Sequence, residues 1–142
     1  MDITENESTY LKFIYRKQNE ESDRVKTTKL ADYLHVQPAT VTETLQKLAE
    51  KKFLEYSSYK GVDLTEKGIK TAETLLRRHR LFETFFVKYL GLNTGEACEE
   101  ALKLDYHATN NLANSICQML NHPETCPCGK EIFRSEKCKE GE

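Results

Sequence analysis

Tyr10, Leu11, Phe13 and Ile14 recur at helical spacing before a polar stretch from Gln18 to Asp23, which predicts a first helix near residues 4 to 20. Leu30, Ala31 and Leu34 then share one face of a short second helix that Thr27 or Thr28 can cap. Pro38 suits the first turn of a third helix and pushes Gln37 out of the helical region. That helix is expected to run to about Lys52, with Val41, Leu45 and Leu48 on its buried face. Strand-like alternation in Phe53–Tyr56 and Val62–Leu64, around Ser57-Ser58-Tyr59-Lys60-Gly61, predicts a hairpin. Two close helices followed by a hairpin are the layout of a winged helix-turn-helix. Beyond Thr65 a long helix carries an apolar stripe from Ile69 to Leu90 that is too wide for a lone surface helix. Two more helices follow, Thr94 to about Asp105 and His107 to about Leu120, and the tail from Glu124 is turn-forming. The expected fold is mainly α: a winged helix-turn-helix over residues 1–68, a linker helix with a helical dimerisation domain over 69–125, and a Cys-rich tail over 126–142.

Length and composition bound what this chain can do. At 142 residues it holds an ordinary core, and 38% hydrophobic with 31% charged residues fits a folded chain. No run approaches the roughly 20 apolar residues that span a bilayer, and the acidic, polar start carries no secretory signal, so a cytoplasmic protein without membrane contact is expected. In such a compartment five cysteines are better read as ligands or redox groups than as a disulfide framework. Cys126, Cys128 and Cys138 cluster in the tail, while Cys98 and Cys117 precede it. No nucleophile–base pair or phosphate loop appears, so neither an enzyme nor a small-molecule substrate is expected.

A net charge of −2 argues against indiscriminate nucleic-acid binding, yet Arg24 to Lys60 holds seven Lys and Arg against four Asp and Glu. Recognition helices present short polar side chains from their first turn to base edges, while flanking groups hold phosphates. Gln37, Pro38, Ala39, Thr40, Thr42 and Glu43 are the candidates for the first role. Thr27, Thr28, Lys47, Ser57, Ser58, Tyr59 and Lys60 are the candidates for the second.

Several segments carry a specific resemblance: Thr9-Tyr10-Leu11-Lys12-Phe13-Ile14-Tyr15, Arg78-His79-Arg80-Leu81-Phe82-Glu83, Leu104-Asp105-Tyr106-His107 and His122-Pro123-Glu124-Thr125-Cys126-Pro127-Cys128-Gly129. Through them the chain resembles the DtxR/MntR family of metal-dependent transcriptional repressors, in the short form without an SH3-like domain. The resemblance implies a homodimer on double-stranded operator DNA, with a divalent metal favouring the DNA-competent arrangement. One family metal site falls on Thr9, Lys12, Leu102, Asp105 and Tyr106, where a lysine and a leucine replace donors. Asp105 and His107 are what remains as a candidate second site. The other family site uses a His and Glu one helical turn apart, matched by His79 and Glu83. Cys98 stands where many relatives have a histidine ligand, and Cys126-Pro127-Cys128 stands at a Cys-Pro-His motif of some members. Cys98 or Cys138 would complete the set.

Thiolates make this site soft, favouring Fe2+ or Zn2+ over Mn2+. Enough sulfurs are present to hold an iron–sulfur cluster instead, so a cluster or thiol redox sensor is the alternative regulator. A structural zinc-bound winged helix that recruits a protein partner is the alternative from another class. Cys117, on an apolar face with Ile116 and Leu120, reads as core or dimer packing, and neither His35 nor His122 needs a ligand role.

Overall fold

The structure, a computed structural model, describes residues 2–138. They divide into two compact units, the first running to Glu73 and the second starting at Thr74.

In the first unit, α1 (Glu5–Tyr15) opens with a capping box in which Thr4 and Glu7 exchange side-chain and backbone bonds. Tyr10, Leu11 and Ile14 of α1 are buried. The expected helix to residue 20 ends differently, because Arg16–Glu20 is a π-helical turn, closed by Glu21 N–H to the Arg16 carbonyl at 2.9 Å. None of its five residues is buried, so no apolar stripe holds it to an α-helical repeat. Helices α2 (Thr27–Leu34) and α3 (Pro38–Glu50) are joined by His35 in the left-handed region at φ 56°, and Pro38 stands in the first turn of α3. Strands β1 (Leu54–Ser57) and β2 (Gly61–Leu64) pair antiparallel with Leu54 opposite Leu64, giving the expected hairpin.

Helix α4 (Glu66–Leu90) begins in the first unit and continues into the second, which adds α5 (Thr94–Leu104) and α6 (Asn110–Met119). Asn93 and Glu96 form the capping box of α5. Helix α6 starts later than expected, since residues 105–109 turn and the Thr109 side chain accepts from the Leu112 N–H at 3.1 Å. Cys126, Ile132 and Cys138 of the tail share a core with Leu81, Phe82, Phe86, Ala97 and Ile116, so residues 126–138 pack as part of this unit. Among the described residues no helix is long and apolar enough to cross a membrane.

Candidate functional site

Four consecutive residues of α4, Arg77, Arg78, His79 and Arg80, are all buried, at 2 to 7% exposure. Burying such groups is costly unless each is paired, and the pairings organise the unit. Arg78 donates from Nε and Nη2 to Asn110 Oδ1 at 3.2 and 3.1 Å, and from Nη1 to the carbonyls of Asp105 and Tyr106 at 3.4 Å, which fixes the turn before α6. Arg80 donates to the Glu131 carbonyl at 2.7 Å and its guanidinium lies 5.5 Å from the Phe133 ring centre, fixing the tail.

Between them stands His79. Its Nδ1 is 3.3 Å from Asp105 Oδ2, its Nε2 is 3.6 Å from Glu83 Oε2, and the same Nε2 is 3.4 Å from Cys98 Sγ. Donor atoms of His79, Glu83 and Cys98 all lie within 4.8 Å of one another. The i, i+4 spacing on α4 puts the histidine and glutamate on one face, and the capped start of α5 carries the thiol to them. The other Glu83 oxygen, Oε1, accepts the Cys128 N–H at 3.3 Å, and the Cys126 and Cys128 thiols both act on the ionisation of Glu83. A short turn holds these thiols, with Cys126 N–H donating to the Lys130 carbonyl and Gly129 at φ 81°, where only glycine sits without strain.

The charge states follow from this packing. Burial opposes a charged His79 ring, but hydrogen bonds to Asp105, Cys98 and Glu83 outweigh it and raise the pKa to about 10. Burial pushes Glu83 up, while bonds from His79, Cys128 and Cys126 more than reverse this and hold it below the ordinary carboxylate value. The Glu83 carboxylate, followed by burial, pushes the Cys128 thiol up to about 11. The metal-free pocket therefore keeps the His79 imidazole protonated against the Glu83 carboxylate and holds the protons of Cys126 and Cys128 more tightly than usual. The residues fit a borderline or soft ion: nitrogen, carboxylate and sulfur donors converge, and the carboxylate on Nδ1 leaves Nε2 directed at the thiol and Glu83.

Other positions singled out from sequence fall elsewhere. Cys138 lies not with His79 but with Cys117 and His122, its Sγ 3.6 Å from His122 Nδ1. Asp105 is the partner of His79, whereas His107 is exposed and stands edge-on to the Tyr106 ring at 5.1 Å. Leu102 is exposed, Lys12 is buried in the first unit, and the Thr9 hydroxyl is engaged by the Glu5 carbonyl at 3.2 Å. The five thiols gather in two groups, Cys98, Cys126 and Cys128 around Glu83, and Cys117 and Cys138 around His122.

In the first unit the opening turn of α3 is open to solvent: Gln37, Pro38, Ala39, Thr40 and Glu43 are exposed. Thr42 is half-buried with its hydroxyl on the Pro38 carbonyl, and exposed Lys47 pairs with Glu43 at 3.7 Å. Thr28, Ser57, Ser58, Tyr59 and Lys60 are exposed, Tyr59 fully, while Thr27 is half-buried. The Ser57 hydroxyl accepts the Lys60 N–H at 3.0 Å and shapes the hairpin tip.

A winged helix-turn-helix joined to a helical unit with a buried His/Glu/Cys centre defines a class of DNA-binding regulators that answer to a metal. Residues 2–62 match the family described as the iron dependent repressor, N-terminal DNA binding domain, and residues 65–134 match its metal binding and dimerisation domain. The chain belongs to this iron-dependent repressor family, the DtxR/MntR group of metal-dependent transcriptional repressors, whose members are DNA-binding regulators and not enzymes. It is 36% identical over 107 residues to an HTH-type transcriptional regulator of Methanocaldococcus jannaschii, covering 75% of this chain and 86% of that one. Among solved structures it is similar to a manganese-dependent transcriptional repressor in complex with manganese, with a TM-score of 0.84 and 34% identity over 92% of this chain and 59% of that one. It is also similar to the regulator ScaR with bound Zn2+, with a TM-score of 0.77 and 33% identity over 89% of this chain and 59% of that one. The chain thus spans about three fifths of the length of these two solved proteins.

Proposed function

We propose that this chain is a repressor whose DNA affinity is set by a Zn2+ or Fe2+ ion held by His79, Glu83 and Cys98, with Cys126 or Cys128 completing the shell. The observation that carries this reading is the convergence of one nitrogen, one carboxylate and one sulfur within 4.8 Å inside a buried pocket. Sulfur donors favour these ions over manganese, which prefers oxygen. A bound ion would supply a fixed positive charge that links α4, α5 and the tail in place of the protons this pocket now holds. Asp105 orients His79, and Glu83 keeps the Cys128 backbone beside the donors. We leave Cys138 out of this set because its thiol stands beside His122.

The same reading gives the exposed opening turn of α3, with Gln37, Thr40 and Glu43, the role of meeting base edges. Thr28, Lys47 and the hairpin tip Ser57–Lys60 take the phosphates of an operator bound by a homodimer. Metal and DNA are then coupled by the 1–3 kcal/mol typical of such linkage.

The test uses a duplex selected from a random pool by the Zn2+-loaded protein, with affinity measured by fluorescence anisotropy at fixed salt. Chelated protein should bind that duplex about 5- to 150-fold more weakly than loaded protein. Equal affinities would overturn the reading. A colourless loaded protein with one tightly held ion at this centre accords with a single-ion site, whereas brown protein containing acid-labile sulfide would replace it with a cluster.

A further inference from the structure

A second donor cluster lies in the same unit and shares no residue with the first. Helix α6 ends with two successive left-handed residues, Asn121 at φ 61° and His122 at φ 54°, neither of them glycine. Such conformations cost about 1 kcal/mol or more each and persist where surrounding contacts impose them. Here the His122 N–H donates to the Cys117 carbonyl at 2.8 Å, folding the chain back so that His122 Nδ1 lies 3.4 Å from Cys117 Sγ. The Cys138 N–H donates to the Ser135 carbonyl at 3.0 Å, and its Sγ reaches the same Nδ1 at 3.6 Å. The three donor atoms lie within 4.8 Å of one another, and both thiols are buried, at 4% and 9% exposure.

The fourth member is a cation. Arg77 is 5% exposed, its positive charge acts on the Cys117 thiol, and its Nε and Nη2 have no hydrogen-bond partner among the described residues. A buried guanidinium in such a place calls for negative charge beside it. Two thiolates supply −2, Arg77 returns +1, and the imidazole is neutral when it donates a lone pair, so a single positive charge balances the site. A divalent ion would leave a buried excess of +1. Zn2+ would also ask for a fourth ligand that the cluster does not offer among the described residues.

We propose that Cys117, His122 and Cys138 form a second metal site, independent of the His79 centre, that takes a monovalent thiophilic ion, Cu(I), through two sulfurs and one nitrogen. Thiolates and imidazole are the donors that soft ions select, and monovalent copper accepts three-coordinate shells.

The test is an anaerobic Cu(I) titration of the full, reduced, metal-free chain against a chromophoric chelator. A Cys98→Ser/Cys126→Ser/Cys128→Ser variant leaves Cys117 and Cys138 as its only thiols. It should retain one equivalent of Cu(I), with X-ray absorption reporting two sulfurs and one nitrogen. His122→Gln in that background, which keeps both thiols, should weaken binding about tenfold or more. Adding Cys117→Ser/Cys138→Ser should abolish it. No Cu(I) retained, retention unchanged by either further change, a disulfide between Cys117 and Cys138 in the reduced preparation, or Zn2+ that one equivalent of Cu(I) fails to displace would each overturn the assignment. Because this background removes sulfurs of the first centre, the two sites succeed or fail separately.

Discussion

His79 ionises far from its ordinary range. Its pKa, about 10 against an ordinary 6.5, is raised on folding. In the metal-free protein its stabilising contribution is therefore complete below pH 6.5 and is lost as pH rises through about 10. An incoming ion needs the Nε2 lone pair, so proton and ion compete, and the Cys128 thiol, raised to about 11, adds a second competing proton where it is a ligand. Affinity for Zn2+ should weaken at least about tenfold for each unit the pH is lowered from 8 to 6, one decade per proton displaced. A competition titration with a chelator of known pH dependence measures this, and an affinity independent of pH contradicts it. Asp105→Asn removes the charge that orients the ring and should cost about 10- to 100-fold in metal affinity, as for other outer partners of metal-bound histidines. The variant should also lower the His79 pKa, followed by NMR of the ring. An unchanged titration would mean that Asp105 has no hold on it.

At the scale of elements, the start of α4 rests on one missing side chain. The Thr65 N–H donates to the Phe53 carbonyl at 3.1 Å and the Thr65 hydroxyl accepts the Gly68 N–H at 3.1 Å, so the first turn of α4 lies directly against that carbonyl. A Cβ at Gly68 would collide with the Phe53 oxygen, which is backbone and has nowhere to turn. Gly68→Ala should therefore destabilise by about 1–3 kcal/mol by urea unfolding, although alanine is the better helix former. A neutral or stabilising effect would count against this packing. The hairpin and the helix pair were legible from sequence because periodicity, Pro38 and Gly61 are local signals. His79 and Glu83 were legible for the same reason, one turn apart on one helix. The partnership of Asp105 with His79 depends on how the 105–109 turn folds back on α4, which no spacing encodes. Cys117, His122 and Cys138 meet only because two non-glycine residues adopt left-handed backbone, so the sequence carries no glycine to announce the turn. The π-helical close after Tyr15 was likewise silent, its five polar residues having no buried stripe to set a period.

For the molecule as a whole, the donors of both clusters lie in residues 74–142, while the DNA-contacting candidates lie in 1–73. Loading the His79 centre adds ion-binding free energy to the second unit, about 2.7 kcal/mol when free ion stands at a hundred times its dissociation constant. Hydrogen exchange should slow across α5 and α6 by up to about a hundredfold on adding Zn2+. The amides of α2 and α3 in DNA-free protein should change far less. Equal protection of both units would show that the ion's free energy is not confined to the unit that supplies its ligands.

The run Arg77-Arg78-His79-Arg80 has a consequence for how such a chain can change over time. Each residue turns about 100° from the last, so four in succession spread over about 300° of the helix circumference, and each side finds a different neighbour. Replacing one of them alters one neighbour at a time. Inserting or deleting a single residue just before them would rotate the whole set by 100°, presenting each side chain to the wrong surroundings at once. Length in this stretch is thus far less negotiable than identity, and sequence drift here should proceed by replacement while gaps accumulate in the exposed hairpin tip.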